Sequence, residues 1–129
     1  MLAGKPLVIY FYPKDFTPGC TREAQAFSAL AKKFAAADTG LLGVSADPVK
    51  ALEKFRARFG LSVPLASDEA HKMLEAYGVW GKKSLYGRTF LGVFRTTFLI
   101  DAGGRIVRIW HNVKVDDHAE EVLAAAKAT

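Results

Sequence analysis

The chain has 129 residues, of which 50% are hydrophobic and 24% are charged. This length and composition are typical of one folded domain and exclude a disordered or fibrous protein, so we expect a single domain over residues 1–129. The net charge of +5 comes from basic residues interspersed with acidic ones, and no nucleic-acid-binding signature accompanies them, so no nucleic-acid partner is expected.

The first predicted element is a buried strand at residues 7–12. Both alternating faces of this segment are apolar, which is typical of a central strand covered by helices on both sides. The run is too short to cross a bilayer and no signal peptide is evident, so we expect no membrane association and a cytoplasmic location. Pro13 ends the strand, and Thr17 and Pro18 predict the N-cap and first position of a helix. Apolar spacing continues this helix to about Asp38.

The next segments predict an alternation of strands and helices. A second buried strand at residues 41–45 leads into a helix that ends at Gly60. A short extended segment follows at residues 63–65. Ser67 is a candidate N-cap for a further helix, which Gly78 ends.

Residues 78–92 have neither a helical nor a strand period, so the sequence predicts a long loop of the kind that is often functional. The large aromatic side chains around it could form a half-buried cluster, a subunit interface or a nucleic-acid stacking platform. The first two interpretations are favoured equally. These side chains are Trp80, Tyr86, Phe90 and Phe94.

The last third of the chain predicts two antiparallel strands, at residues 94–100 and 105–110, joined by a glycine-bearing turn. A C-terminal helix from about Asp116 follows, with Val115 at the start of its apolar stripe. The complete order of elements indicates an α/β protein with a mixed central sheet flanked by helices, which is the order of a thioredoxin-like fold.

Cys20 is the only cysteine of the chain and lies in the first turn of the predicted helix, beyond the C-terminal end of a central strand. Sites form at this edge of open α/β sheets, and the free N–H groups of a first turn can stabilise a thiolate. Gly19 lets another group approach the thiol closely. A structural, buried cysteine is the alternative, and spacing alone leaves it open.

The segment around Cys20 matches the pattern Pro-x-x-x-Thr-x-x-Cys through Pro13 and Thr17. By this motif the chain resembles the peroxiredoxins, in particular the bacterioferritin comigratory protein or PrxQ-type subgroup, over nearly its whole length. The resemblance implies a thioredoxin-like fold and a thiol-dependent peroxidase that reduces hydrogen peroxide and organic hydroperoxides. It covers residues 7–15 and 17–21, which include the motif, and then residues 77–83, 95–101 and 118–123.

The resemblance implies roles for five residues. Cys20 attacks the peroxide, Thr17 hydrogen-bonds it, and Pro13 shields the sulfur. Arg95 is the catalytic arginine, and Glu23 helps to orient it. Ionisation of a thiol alone does not make a fast peroxidase, because nucleophilicity falls with thiol pKa, so donors must stabilise the departing oxygen. We therefore expect a Cys20 sulfur open to solvent and an Arg95 side chain directed towards it.

Two features depart from the family pattern. Many members carry a resolving cysteine five residues after the first, where this chain has Gln25. We therefore expect a one-cysteine reaction, in which glutathione, a thioredoxin, a glutaredoxin or Cys20 of a second subunit reduces the sulfenic acid. Members also usually have a leading hairpin before the first core strand, and we expect this hairpin to be lacking here.

Other functions remain as alternatives. A non-catalytic thioredoxin-fold binding or scaffold protein would also lack a resolving thiol, and a glutathione-dependent thiol oxidoreductase is less favoured because no Cys-x-x-Cys motif occurs. The three histidines are scattered and no phosphate-binding glycine motif is present, so neither a metal nor a cofactor is expected. The protein is expected to be a monomer or a homodimer.

Overall fold

The structure is a computed structural model that describes residues 5–111 and 113–128. Strands and helices alternate along most of the chain. The strands are β1 (Leu7–Phe11), β2 (Gly40–Ser45), β3 (Leu65–Ser67), β4 (Trp80–Leu85), β5 (Arg88–Val93), β6 (Thr96–Ile100) and β7 (Ile106–Trp110). The helices are α1 (Pro18–Ala29), α2 (Ala31–Ala36), α3 (Val49–Phe59), α4 (Lys72–Ala76) and α5 (His118–Lys127).

The main sheet is mixed and has the strand order β3-β2-β1-β6-β7. β1, β2 and β3 run parallel, whereas β6 pairs antiparallel with both β1 and β7. β1 is central because it is apolar on both faces. Its alternate side chains enter two separate core clusters, Val8 and Tyr10 in one and Ile9 and Phe11 in the other. The predicted mixed sheet with a doubly covered central strand is thereby confirmed.

Aromatic packing dominates the larger core cluster. The Tyr10 ring stacks on Phe27 of α1 with a centroid distance of 4.6 Å. Gly43 in β2 is the register partner of Tyr10, and a Cβ atom at this glycine would lie 2.6 Å from Tyr10 Cζ. The glycine therefore makes room for a tyrosine ring that crosses the neighbouring strand.

The topology brings distant segments to one edge of the sheet. Phe11 at the end of β1 pairs with Thr96 at the start of β6, because these strands are antiparallel. The segment that follows β1 and the residue that precedes β6 therefore lie together. These are the loop that leads to Cys20 and Arg95, respectively.

The prediction of a long irregular loop at residues 78–92 is wrong. β4 and β5 form an antiparallel hairpin across this stretch, separate from the main sheet. Tyr86 and Gly87 make its two-residue turn, with φ of 51° and 76°. Turns with two positive φ values usually carry asparagine or aspartate before the glycine, so a tyrosine at this place concealed the hairpin from the sequence.

The aromatic side chains of this hairpin do not form one half-buried cluster. Tyr86 is 95% exposed and Phe90 is 45% exposed. Trp80 is partly buried and stacks on His71 with a centroid distance of 3.9 Å. The turn and outer face of the hairpin thus point away from the core, because its two strands pair only with each other among the described strands.

The predicted N-cap at Ser67 is also wrong. Ser67 ends β3, and its hydroxyl donates a hydrogen bond of 2.6 Å to the Asp47 carbonyl. The helix begins later, at Lys72. The Asp68 carboxylate, rather than the Ser67 hydroxyl, accepts a hydrogen bond from a first-turn N–H, that of Leu74, at 2.8 Å. The extended segment predicted at residues 63–65 is shifted accordingly, since β3 starts at Leu65.

Three other boundaries differ from the sequence prediction by two residues or more. The first helix breaks at Leu30, whose N–H is shared between the carbonyls of Ala26 and Phe27. β6 begins at Thr96 rather than at residue 94, and α5 begins at His118, beyond Val115. Each difference lies at an element end, where local signals are weakest.

Two expectations about the chain as a whole remain. Within residues 5–111 and 113–128, none of the helices combines the length and apolarity needed to cross a bilayer. The expected lack of a leading hairpin concerns the segment before β1, of which residues 1–4 lie outside the described part. It stays a prediction.

Candidate active site

Cys20 is the third residue of α1, directly after the loop that leaves β1. Thr17 is the N-cap, with extended backbone angles, and Pro18 occupies the first helical position as predicted. The geometry of a helix start leaves the Gly19 and Cys20 N–H groups without intrahelical acceptors. Cys20 is only 1% exposed, so the expectation of a sulfur open to solvent is wrong in this conformation.

The Arg95 guanidinium lies directly on the Cys20 sulfur. Its Nη2 donates to Sγ at 3.2 Å. The Arg95 side chain is therefore directed towards the thiol, as expected from the sequence. A Cβ atom at residue 19 would lie 3.2 Å from the same Nη2, so Gly19 leaves the space that this approach needs. Burial acts to lower the pKa of Arg95, but the interactions with Glu23 and Cys20 outweigh burial and raise this pKa.

Glu23 holds the other end of the guanidinium. It lies one helical turn after Cys20 on α1, is 1% exposed, and accepts from Arg95 Nη1 at 2.6 Å. Its second oxygen has no hydrogen-bond partner among the described residues. Burial raises the pKa of Glu23, and Arg95 opposes that rise. The resulting pKa of Glu23 is about 7, so Arg95 favours the ionised carboxylate but only partly offsets its burial.

Thr17 and Pro13 lie at the rim of this arrangement, both half-buried. The Thr17 hydroxyl donates to the Lys14 carbonyl at 2.7 Å. Its proton is thus already engaged, and in this conformation the hydroxyl oxygen is free only to accept. Pro13 directly follows the strand that carries the loop, and the structure brings it, Thr17, Cys20, Arg95 and Glu23 to the same edge of the sheet.

A buried carboxylate that the sequence did not indicate holds the loop before Cys20. Asp15 is 5% exposed and accepts from the Tyr12 hydroxyl at 2.7 Å. Its N–H donates to Asp47 Oδ2 at 2.8 Å, and the Ser45 hydroxyl donates to the same oxygen at 3.0 Å. Because Asp15 and Asp47 are 32 residues apart, neither spacing nor periodicity reveals the contact. The network ties the loop to the end of β2.

Asp15→Asn is expected to make the stability of the protein less dependent on pH. Burial, together with the nearby Asp47, raises the pKa of Asp15 to about 6 from an ordinary 3.8. The folded state then binds the proton more tightly than the unfolded state. The stability that this bound proton gives the folded parent protein is fully present below pH ~4, and it is lost as the pH rises to about 6. Thermal unfolding at pH 7.5 should show a midpoint about 2–6 °C higher for the variant than for the parent.

The two proteins should unfold at nearly equal temperatures at about pH 3.5, where Asp15 is protonated in the folded parent and largely protonated in the unfolded chain. Glu53→Gln is the matched control, because Glu53 is exposed on α3 and loses the same charge. An Asp15→Asn effect of equal size at both pH values would refute the assignment.

Among the described residues, no group of three His, Cys, Asp or Glu side chains could hold a metal ion. The site consists of a thiol at a helix start, a guanidinium on its sulfur and a carboxylate behind that guanidinium. Such a site can stabilise negative charge on sulfur and on an adjacent oxygen. Together with the mixed sheet, it defines a thioredoxin-like protein with a buried thiol beside a guanidinium.

Comparison with known proteins agrees with that class. The model of the AhpC/TSA family matches residues 1–109. Peroxiredoxin Bcp of Xanthomonas campestris is 48% identical over 126 residues, which are 98% of this chain and 79% of the relative. Peroxiredoxin Bcp of Bacillus subtilis is 44% identical over 124 residues, which are 96% of this chain and 79% of the relative.

Solved structures give the same result. The Xanthomonas campestris bacterioferritin comigratory protein, described with an alkyl peroxide reduction activity, superposes with a TM-score of 0.93 at 47% identity, over 98% of this chain and 81% of that chain. Peroxidoxin BcpB of Mycobacterium tuberculosis superposes with a TM-score of 0.85 at 37% identity, over 98% of this chain and 82% of that one.

The chain belongs to the AhpC/TSA family. Its relatives are peroxiredoxins of the bacterioferritin comigratory protein and PrxQ type, as the sequence predicted. The thioredoxin-like fold is thereby confirmed, and so is the enzyme class, a thiol-dependent peroxidase. The roles of the individual site residues stay predictions.

Proposed function

We propose that the chain reduces hydroperoxides by a one-cysteine reaction at Cys20. The observation that carries this proposal is the pair of contacts made by Arg95, 3.2 Å to the Cys20 sulfur and 2.6 Å to Glu23. A guanidinium held between a thiol and a buried carboxylate has a fixed direction. It is therefore ready to stabilise charge that develops beside the sulfur.

The proposed reaction begins with attack of the Cys20 thiolate on one oxygen of the hydroperoxide. An S–O bond forms, the O–O bond breaks, and its electron pair moves to the departing oxygen, which takes up a proton and leaves as water or an alcohol. Arg95 and the N–H groups of the first turn of α1 are placed to stabilise that oxygen. The Thr17 hydroxyl donates a hydrogen bond to the Lys14 carbonyl, so its oxygen accepts a hydrogen bond from the O–H of the hydroperoxide and orients the substrate.

Access to the sulfur requires a movement of the surrounding side chains. Cys20 is 1% exposed, whereas the Arg95 side chain above it is 17% exposed. Displacement of the guanidinium by a few ångströms would admit a hydroperoxide between Nη2 and Sγ, and the ion pair with Glu23 would return it to the site. Pro13 is proposed to limit the entry of water on the opposite side.

The sulfenic acid that forms on Cys20 must be reduced by a thiol from outside the chain, since Cys20 is the only cysteine. Two thiol groups restore the cysteine, and their products are a disulfide and water. Glutathione, a thioredoxin, a glutaredoxin or a second copy of the chain could supply the thiol that attacks the sulfenic acid. A cytoplasmic location, a monomeric or homodimeric state and a single domain over residues 1–129 remain predictions.

Rapid-quench mass spectrometry of the reduced protein tests the proposal. With stoichiometric hydrogen peroxide, Cys20 should gain one oxygen atom at a rate at least about 100-fold above that of free cysteine. A Cys20→Ser variant serves as the blank and should gain none. The similarity to peroxiredoxins does not favour the alternative of a non-catalytic scaffold. A Cys20 rate equal to that of free cysteine would refute the proposed reaction at Cys20.

A further inference from the structure

The β4–β5 hairpin carries a cation that the proposed reaction has not used. Gly81 and Gly92 are register partners, so they lie opposite each other on one face of the hairpin. A Cβ atom at Gly92 would lie 3.0 Å from Lys83 Cδ, and one at Gly81 would lie 3.0 Å from Phe94 Cε2. The two glycines thus make a shallow groove in which the side chains of Lys83 and Phe94 rest.

The groove directs the Lys83 ammonium to the end of the hairpin. Nζ donates to the Val93 carbonyl at 2.9 Å and lies 5.9 Å from the centre of the Phe94 ring. Val93 is the last residue of β5 and is 1% exposed, and only Phe94 separates it from Arg95. Lys83 therefore holds the short segment that carries the guanidinium into the site.

Other contacts fix the same segment. The Phe94 N–H donates to the Val79 carbonyl at 2.7 Å, and the Arg95 carbonyl accepts from the Val113 N–H at 3.0 Å. The charge of Lys83 also interacts with the site. Burial and Arg95 lower the pKa of Lys83, and Cys20 acts in the opposite direction. The two cations and the sulfur therefore share one electrostatic environment.

We propose that Lys83 is a positioning residue for the peroxidase reaction. It holds the Val93–Phe94 segment so that the Arg95 guanidinium stays within hydrogen-bonding distance of the Cys20 sulfur. This inference rests on the proposed function of Arg95. Small displacements of a positioned group are costly in catalysis, because the reacting atoms must remain in line.

The test compares single-turnover oxidation of Cys20 by hydrogen peroxide in matched variants. Lys83→Met keeps the length of the aliphatic chain but removes the ammonium group, and it should slow the reaction by about tenfold. Lys82→Met is the control, because Lys82 is the neighbouring residue on the exposed face of β4, and its rate should stay within about twofold of the parent. Lys83→Arg keeps the charge and a donor and should recover most of the lost rate.

A double-mutant cycle asks whether Lys83 acts through the guanidinium. Arg95→Lys retains a charge but lacks the planar guanidinium with its fixed donor directions. The exact position of residue 95, and hence the contribution of Lys83, should then matter less. In that background Lys83→Met should cost less than about threefold. Equal costs in both backgrounds would overturn the proposal, as would equal rates for Lys83→Met and Lys82→Met.

Thermal unfolding is measured for every variant. If Lys83→Met does not fold, Lys83→Leu, which likewise has no hydrogen-bond donor, takes its place with the same expected loss. Failure of the peroxidase proposal itself has a different signature, because the parent protein would then react no faster than free cysteine.

Discussion

Arg95→Met is expected to slow the oxidation of Cys20 by hydrogen peroxide by about 10²- to 10³-fold. Methionine fills similar space but removes the Nη2 donor that lies 3.2 Å from the sulfur. It also leaves Glu23 buried without the cation that pairs with it at 2.6 Å. The loss of the donor acts on the reacting atoms, because negative charge moves from sulfur to oxygen as the O–O bond breaks. Single-turnover mass spectrometry measures the rate directly.

The control for this prediction is Arg105→Met, because Arg105 is exposed in the turn between β6 and β7. It removes the same charge at a distance from the sulfur, and its rate should stay within about twofold of the parent. A reduction of less than about fivefold for Arg95→Met would contradict the proposed role of this arginine.

Phe27→Ala is expected to lower the free energy of unfolding by about 3–5 kcal/mol. Phe27 is 0% exposed, stacks on Tyr10 at 4.6 Å and lies 6.0 Å from both Phe34 and the His118 ring, measured between centroids. Removal of the ring leaves a cavity among side chains from β1, α1, α2 and α5. Their backbones are held by the sheet and the helices and cannot close it.

Urea denaturation at pH 7 measures this loss, with the midpoint falling while the slope stays constant. Phe90→Ala is the matched control, because Phe90 is 45% exposed on β5. Its cost should not exceed about 1.5 kcal/mol. Similar losses for the two variants would mean that Phe27 is not part of the rigid core.

The secondary structure could be predicted wherever the signal was local. The apolar run of β1, the Thr17-Pro18 start of α1 and the Gly60 end of α3 lie where the sequence placed them. The β4–β5 hairpin was missed because Tyr86 occupies a turn position that usually carries asparagine or aspartate. Ser67 was wrongly given a capping role, because both Ser67 and Asp68 can cap a helix and only the packing of β3 selects between them.

The sequence by itself determined which residue is the candidate reactive thiol and where it lies. A single cysteine, a proline that begins a helix and the Pro-x-x-x-Thr-x-x-Cys pattern are all contained within one short segment. These features depend on covalent bonds and on hydrogen bonds between residues no more than one helical turn apart, so the local sequence specifies them.

Only the tertiary structure decided what surrounds that thiol. Arg95 is 75 residues from Cys20 and reaches it because β6 lies antiparallel beside β1. Three other features likewise depend on how separate elements pack. These are the near-complete burial of the sulfur, the Asp15–Asp47 contact and the position of the Lys83 side chain against Gly92. Strand order and side-chain packing are properties of the whole fold, so no local pattern in the sequence specifies them.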